Sequence, residues 1–192
     1  MDTLKVKIKA LPDTAMLHHN IRLANPMDEG SLKLKSLTSV RKKTEDIYSQ
    51  ITDLEFQYGM YYDERVGPYI PGIWLDATLI EGGKLQKNGS KIKRSTLVVD
   101  TLVPLQYDGP RDLATLTRDP SFRDMRAVTI GTAKNMRCRP RFKDWSAEFT
   151  IQYNSELINR DELITALKTA GACIGLGDYR PRFGRFEVES VR

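Results

Sequence analysis

Residues 4–10, LKVKIKA, decide the fold class, because apolar and basic side chains alternate there with a period of two. The apolar set is Leu4, Val6, Ile8 and Ala10, and the basic set is Lys5, Lys7 and Lys9. Successive side chains of a strand point to opposite faces of a sheet. The segment is therefore predicted to be a β-strand with one buried face and one basic face.

Composition places the chain among ordinary globular proteins. Its 192 residues carry a formal charge of +5, and 40% of them are apolar while 29% are charged, which excludes collagen-like and wholly disordered chains. A chain of this length buries roughly 70% of its unfolded surface and needs no metal or disulfide to hold a core. A single domain over residues 1–192 is the expectation.

Few residues offer metal, cofactor or disulfide chemistry. Cys138 and Cys173 are the only cysteines, and they fit reduced thiols of a cytoplasmic protein better than a disulfide framework. The sequence has no Walker A loop, no H-E-x-x-H and no C-x-x-C motif. The basic N-terminal stretch lacks an apolar membrane segment. We therefore expect no metal, no cofactor and no membrane partner.

Helical periodicity is clearest over residues 37–58, where apolar positions step by three and four and predict one long helix ending at Gly59. A short helix is predicted over residues 73–80. Another helix begins at Asn159, where Glu162 completes a capping-box pattern, and Gly171 suits its C-terminal end. Residues 82–94 contain five basic residues and three glycines, and predict a mobile cationic loop.

Further strands are predicted from β-forming residues and from period-two patterns. Residues 95–105 form one candidate strand, and residues 106–127 are expected to be a loop with one helical turn. Residues 136–142 and 147–153 keep a period of two around Lys143-Asp144, and predict a hairpin. A last strand is expected around Phe186 and Val188.

This order of elements departs from strict β-α alternation and favours an α+β fold. The expected architecture is a ferredoxin-like or RRM-like antiparallel sheet with helices on one face. Such a core needs fewer residues than the chain has, and the surplus is assigned to a large insertion at about residues 60–127.

Basic residues in four groups that are distant in the sequence are predicted to converge on one sheet face. The groups are Lys5, Lys7 and Lys9; Lys84, Lys87, Lys91, Lys93 and Arg94; Arg137, Arg139 and Arg141; and Arg180, Arg182 and Arg185. Scattered surface charge explains any one group alone. Their combined placement favours binding to a nucleic-acid backbone.

Glycines and aromatic residues extend this prediction. Within residues 170–188, AGACIGLGDYRPRFGRFEV, Gly175 and Gly177 would let backbone N–H groups approach a phosphate, beside arginine side chains. A tight turn is the plainer interpretation. The aromatic residues beside loops could stack on unpaired bases; they are Tyr61, Tyr62, Tyr69, Trp74, Tyr179 and Phe183.

Two segments resemble the RAMP superfamily, the RRM-like RNA-binding subunits of CRISPR effector complexes. Residues 170–188 are similar to its glycine-rich loop, and GPYIPGIWLDATLIEG at residues 67–82 is similar to its P-x-I-P-G-S-S-L-K-G-x-L-R segment. The matching positions of the second segment are Pro68, Ile70, Pro71, Gly72, Leu75 and Leu79. Asp76 stands where the family often has lysine or arginine. The chain also resembles small solitary phage-encoded members, which would act in the host cytoplasm.

The resemblance and the cations together favour a non-catalytic protein that binds single-stranded nucleic acid, RNA rather than DNA, and assembles along the strand as a homo-oligomer. One alternative is a metal-independent endoribonuclease, because superfamily relatives use a histidine near the N-terminus. His18 and His19 follow the first strand and are the weak catalytic candidates. A third hypothesis is a phage interaction protein that acts on host defence machinery.

Overall fold

The computed structural model describes the backbone of residues 1–192 and all side chains except those of Ile130 and Ala133. The strands are β1 (Asp2–Ala10), β2 (Met16–Leu17), β3 (Tyr62–Asp63), β4 (Gly67–Pro71), β5 (Thr96–Val98), β6 (Leu102–Pro104), β7 (Arg123–Ile130), β8 (Ala133–Phe142), β9 (Ser146–Tyr153) and β10 (Phe186–Val191). The α-helices are α1 (Glu29–Thr38), α2 (Glu45–Gly59), α3 (Gly72–Lys84), α4 (Gly89–Ser95), α5 (Leu113–Arg118) and α6 (Arg160–Thr169). The α+β class is confirmed.

The largest sheet has the strand order β10-β1-β9-β5, and all its neighbouring strands are antiparallel. Strand β1 is an interior strand and shows the predicted alternation. Leu4, Val6 and Ile8 are buried, whereas Lys5 and Lys9 are exposed. Removal of these aliphatic side chains from water stabilises the sheet.

Helices α3 and α6 pack beside each other and contribute to the same buried cluster as this sheet. Their close approach depends on Gly82, because a Cβ there would lie 2.5 Å from the carbonyl oxygen of Ala166 in α6. Leu79 of α3 and Leu163 of α6 are both buried. The predicted capping box of α6 is confirmed: Asn159 Oδ1 accepts from Glu162 N at 2.8 Å, and Asn159 N donates to Glu162 Oε2 at 3.2 Å.

Two smaller sheets, β2-β8-β7 and β3-β4-β6, extend the core. Helix α2 packs against β8, where the buried Glu55 accepts from the backbone N–H of Cys138 at 2.8 Å. Trp145 is fully buried and its ring contacts that of Phe186. The buried apolar side chains of the described residues form one contiguous cluster.

The prediction of one long helix over residues 37–58 is wrong. Thr44 ends the regularity, because its hydroxyl accepts a hydrogen bond from Ile47 N at 3.4 Å and caps the start of α2. Residues 39–44 separate α1 from α2. Of the predicted apolar stripe, only Ile51 is buried.

The predicted cationic loop at 82–94 is also wrong, because α3 continues to Lys84 and α4 follows. The fully buried Ile92 anchors α4 against Gly83. Residues 95–105 form two strands in different sheets, β5 and β6, rather than one. Asp100 between them accepts a hydrogen bond from Thr150 N at 2.6 Å and redirects the chain.

Both arms of the predicted hairpin at residues 136–153 are strands, but the prediction that they pair with each other is wrong. Strand β8 pairs with β7, in a segment expected to be mainly loop, and β9 pairs with β1 and β5. Asp144 has a φ of 46°, and the buried Trp145 follows it, so the chain leaves one sheet here and enters another.

The predicted helix end at Gly171 is wrong, because helical structure continues past that residue. A π-helical turn, Ala170–Ile174, extends the helix to Gly175, whose φ is 77°. The predicted last strand is confirmed as β10, with Phe186 buried.

No helix among the described residues is both apolar enough and long enough to cross a bilayer. The described side chains also form no cluster of three or more His, Cys, Asp or Glu residues that could hold a metal ion.

Candidate functional site

The three lysines of β1 share the outer sheet face with three exposed glutamates, Glu148, Glu187 and Glu189. Lys7 Nζ lies 2.7 Å from Glu189 Oε2, and Lys9 lies opposite Glu187. Glutamates of β9 and β10 thus flank the lysines of β1, which compensates the lysine charge. The prediction of a basic sheet face is therefore wrong.

The arginines of β8 belong to a different sheet from these lysines. Arg137 Nη1 lies 2.5 Å from Glu55 Oε1, and Arg139 Nε lies 2.6 Å from Asp178 Oδ2. Arg141 donates to the carbonyl of Ser121 at 3.0 Å. Two of these three cations are thus already neutralised, and the predicted continuous basic track does not form.

The cations of residues 84–94 lie at the end of α3 and on α4. Lys84 pairs with Glu81 at 2.5 Å, and Lys91 pairs with Glu162 at 2.8 Å. The remaining cations of this group are exposed and form no ion pair with the described side chains; they are Lys87, Lys93 and Arg94.

Residues 175–184, here called the glycine loop, are held against the chain after β1. Asp178 N donates to Leu17 O at 2.8 Å, and Gly184 N donates to Ala15 O at 3.0 Å. Gly177 has a φ of 80°, and a Cβ there would overlap the carbonyl of Leu17. Packing and backbone conformation therefore account for the glycine at this position.

The arginines of the glycine loop and its flank differ in their partners. Arg180 is exposed, forms no ion pair with described side chains, and places Nη1 3.5 Å from Thr78 Oγ1. Arg182 is exposed, and Arg185 donates to the carbonyl of Pro181 at 2.8 Å. Arg180 and Arg182 are thus available to bind an anion.

A contact missed by the sequence analysis fixes the glycine loop to the β7-β8 hairpin. Arg126 donates to both carboxylate oxygens of Asp124, at 2.7 and 2.9 Å. Its guanidinium also lies over the rings of Phe183 and Tyr179, 4.5 and 5.0 Å from their centroids. Arg126 lies where a loop was expected, and no sequence pattern linked it to residues more than fifty positions away.

Two cavities, together called the groove, are both lined by Gly177, Asp178 and Arg180 of the glycine loop. The smaller cavity, of about 330 Å³, is also lined by His19, Ile21, Ala24, Tyr61, Trp74 and Ala77. The larger cavity, of about 660 Å³, is also lined by Glu81, Cys173, Ile174, Tyr179 and Pro181. The groove joins α3, the glycine loop and residues 19–24.

Aromatic side chains form one wall of the smaller cavity. The ring centroids of Tyr61 and Trp74 are 4.8 Å apart in a T-shaped contact. The Tyr61 hydroxyl accepts a hydrogen bond from Ile21 N at 3.2 Å, which holds the ring in place. Among the predicted stacking residues, Tyr69 instead packs against Tyr61.

The two histidines have different surroundings. His18 is fully buried beside Tyr61, Trp74 and Phe142, and burial lowers its pKa to about 3. Its Nδ1 accepts from Tyr61 N at 3.3 Å, whereas Nε2 has no partner among the described residues. His19 lines the smaller cavity with Arg180, and its pKa is lowered by partial desolvation and then by Arg139.

The segment that resembles the P-x-I-P-G motif forms β4 and the start of α3, with Leu75 and Leu79 buried. Asp76 accepts a hydrogen bond from Val98 N at 2.9 Å, and burial raises its pKa. Asp76 thus connects α3 to β5, which gives a structural reason for a carboxylate at this position.

Comparison with known proteins finds no matching family model and no match among curated proteins. The function of the groove must therefore be argued from its own residues.

Proposed function

We propose that the chain is a non-catalytic protein that binds single-stranded nucleic acid, RNA in preference to DNA, in the groove. The observation that carries the proposal is the presence of Arg180, which forms no ion pair among the described side chains, in the same cavity as Trp74 and Tyr61. A guanidinium can hold a phosphate while aromatic rings contact an unstacked base. Arg182 adds a second exposed cation on the same loop.

The groove is favoured over the outer sheet face because of its charge. Glutamates on the face of β1 offset its lysines. In the groove, the acids Asp178 and Glu81 are paired with Arg139 and Lys84, and Arg180 is left without an ion pair among the described side chains. Affinity for a nucleic-acid backbone depends on cations that release counterions when they bind phosphates. Single strands are favoured because the groove offers aromatic contacts that a duplex keeps stacked.

We further propose a ferredoxin-like, RRM-like core. Strand β1, helix α3, strands β5 and β9, helix α6 and strand β10 follow one another in the chain, and the strand order β10-β1-β9-β5 fits that topology. On this proposal the extra residues fall at about 11–71 and 99–145, whereas the sequence suggested 60–127. Residues 1–192 remain one domain.

Kinship with the RAMP superfamily is also a proposal. Its support is that the two resembling segments, which are distant in the chain, touch each other: Thr78 Oγ1 donates to Gly175 O at 3.1 Å. Phage origin, assembly along the strand and an interaction with host defence machinery stay predictions.

The proposed function is tested by fluorescence anisotropy with a labelled 20-nucleotide single-stranded RNA, its DNA equivalent and an RNA duplex. We expect the single-stranded RNA to bind most tightly. Arg180→Ala is expected to weaken binding at least about tenfold and to lower the slope of log Kd against log salt concentration by about one. Arg118→Ala removes the same charge from exposed α5 and is the matched control.

Two results would contradict the proposed function. One is an absence of binding to any of the three nucleic acids at low salt. The other is equal affinity of the unaltered protein and Arg180→Ala, which would show that the groove is not the binding interface.

Metal-independent RNA cleavage is the second candidate, because His19 and Arg180 line one cavity. A neutral imidazole can take a proton from a 2′-hydroxyl, and an arginine can stabilise the phosphate. His18 does not suit this role, since its ring is enclosed by aromatic side chains. Cleavage of RNA in EDTA that is lost in His19→Ala would favour this candidate, and intact RNA after incubation would exclude it.

A further inference from the structure

We propose that the smaller cavity holds one nucleobase that carries an exocyclic amino group, and that it discriminates against uracil. This inference rests on the proposed function and names the base class that the groove selects. Its basis is the shape of the cavity and the hydrogen-bonding capacity of Asp178.

The size of the cavity suits a single nucleobase. Its volume of about 330 Å³ is at the lower end of the roughly 300–1,000 Å³ found for small-molecule sites. Trp74, Tyr61 and Ile21 contribute apolar surface, and the small side chain of Ala77 leaves space between them. A flat, largely apolar ring matches these walls.

Asp178 is the one carboxylate residue among the described residues that line this cavity. Its Oδ2 accepts from Arg139 Nε at 2.6 Å, and no described residue donates to Oδ1. The Asp178 side chain is 29% exposed. A carboxylate oxygen only accepts hydrogen bonds, so a base that packs against Oδ1 must offer it a donor or leave it desolvated.

Nucleobases differ in what they can offer to this oxygen. Adenine, cytosine and guanine each present an exocyclic N–H donor. Uracil presents carbonyl oxygens at the corresponding positions, and its N3–H lies between two of them. Oδ1 can accept from that N3–H only with a carbonyl oxygen on each side of it, and the repulsion from these oxygens disfavours uracil relative to a base that offers an amino group.

Arg139 also makes the assignment testable by substitution. In Asp178→Asn, the amide oxygen can keep the hydrogen bond from Arg139 Nε, which puts the amide NH₂ in the place of Oδ1. The group that faces the base then changes from an acceptor into a donor. The preference is expected to move towards uracil, whereas a purely structural role of Asp178 would weaken all oligomers alike.

The experiment compares octamers of cytidylate and uridylate, because these bases have the same ring size and differ at C4 and N3. Trp74 fluorescence reports occupancy, since the other tryptophan, Trp145, is fully buried. Anisotropy of labelled octamers measures total binding independently. We expect the unaltered protein to bind oligocytidylate about tenfold more tightly than oligouridylate.

Asp178→Asn is expected to remove or invert this preference. Asp108→Asn is the matched control, because Asp108 is exposed and lies outside the residues that line the groove. Equal affinity of the unaltered protein for both octamers overturns the inference but leaves the proposed function standing. Absence of binding to both overturns the two together. The comparison on the unaltered protein decides the inference even if Asp178→Asn fails to fold.

Discussion

Arg139 donates from Nε to Asp178 Oδ2 over 2.6 Å and so ties β8 to the glycine loop. The Arg139 side chain is only 11% exposed and is paired with Asp178, so it does not serve as the phosphate contact that the sequence predicted. Its role is to hold Asp178, and with it the loop that carries Arg180. Arginines that alternate along a strand thus have separate roles, because each one meets a different partner.

Loss of this ion pair should lower stability. We expect Arg139→Met to reduce the free energy of unfolding by about 2 kcal/mol, because it leaves a partly buried carboxylate without its partner. Urea denaturation measures the change. Lys7→Met breaks the more exposed pair with Glu189 and should cost less than about 1 kcal/mol. Equal losses in the two variants would show that Arg139 has no special structural role.

The lysines of β1 should contribute little to binding. The double variant Lys5→Gln, Lys9→Gln is expected to change the Kd for single-stranded RNA by less than about threefold, because acids on the same face offset their charge. Anisotropy at low salt provides the measurement. A loss of affinity as large as that of Arg180→Ala would show that the sheet face is part of the RNA-binding interface.

His18 should make stability depend on pH. The unfolded chain protonates this ring near pH 6.5, whereas the folded chain protonates it only near pH 3, so acid favours unfolding between these values. The contribution of His18 is therefore complete above pH 6.5 and declines as the pH falls. The free energy of unfolding should fall by up to about 1.4 kcal/mol per pH unit from this group.

His18→Gln is the comparison for that prediction, because its neutral side chain retains an acceptor for Tyr61 N and does not titrate. Urea denaturation at pH 7.5, 6 and 5 should show a shallower pH dependence for the variant. Parallel curves for the two proteins would mean that the His18 ring is accessible to protons in the folded chain.

The two cysteines should differ in reactivity. Cys173 is exposed in the larger cavity, whereas Cys138 is buried and burial raises its pKa to about 12. A chromogenic disulfide reagent should titrate one thiol in the native protein and both in denaturant. Bound oligonucleotide should slow the reaction of Cys173. An unchanged rate at saturating oligonucleotide would place the strand outside the larger cavity.

Gly177→Ala should be strongly destabilising. We expect a loss of more than about 2 kcal/mol, since strain at a positive φ adds to the overlap with Leu17 O. Gly131→Ala is the control, because Gly131 also has a positive φ but a Cβ there meets no atom within 4 Å. Thermal unfolding of both variants separates conformational strain from overlap. A smaller loss for Gly177→Ala than for Gly131→Ala would contradict the close packing of the glycine loop.

Sequence patterns correctly predicted the secondary-structure elements that are determined by residues close together in the sequence. The alternation of residues 4–10 identified β1, and Asn159 with Glu162 identified the start of α6. Thr44 interrupted the apolar stripe of the predicted long helix, and that interruption is the N-cap of α2. A period of two identifies a strand but not its partner, which is why β8 and β9 were paired incorrectly.

Charge was harder to interpret than periodicity, because the partners are distant in the sequence. Arg137 and Glu55 are 82 residues apart, and Lys91 and Glu162 are 71 residues apart. No spacing rule connects such pairs. Three residues of the predicted site line the smaller cavity, namely His19, Gly177 and Arg180. The sequence alone did not indicate which acids pair with the other cations, such as Glu55 with Arg137.

The break between α1 and α2 offers a place to divide the chain. Residues 39–44 lie outside the helices, and Arg41 and Lys42 are exposed there. Trypsin cleavage at either residue would leave β1, an interior strand, on the smaller fragment and its partners β9 and β10 on the larger one. Neither piece could complete the sheet alone, so two separately expressed pieces would regain structure only by recombining, as a split reporter does.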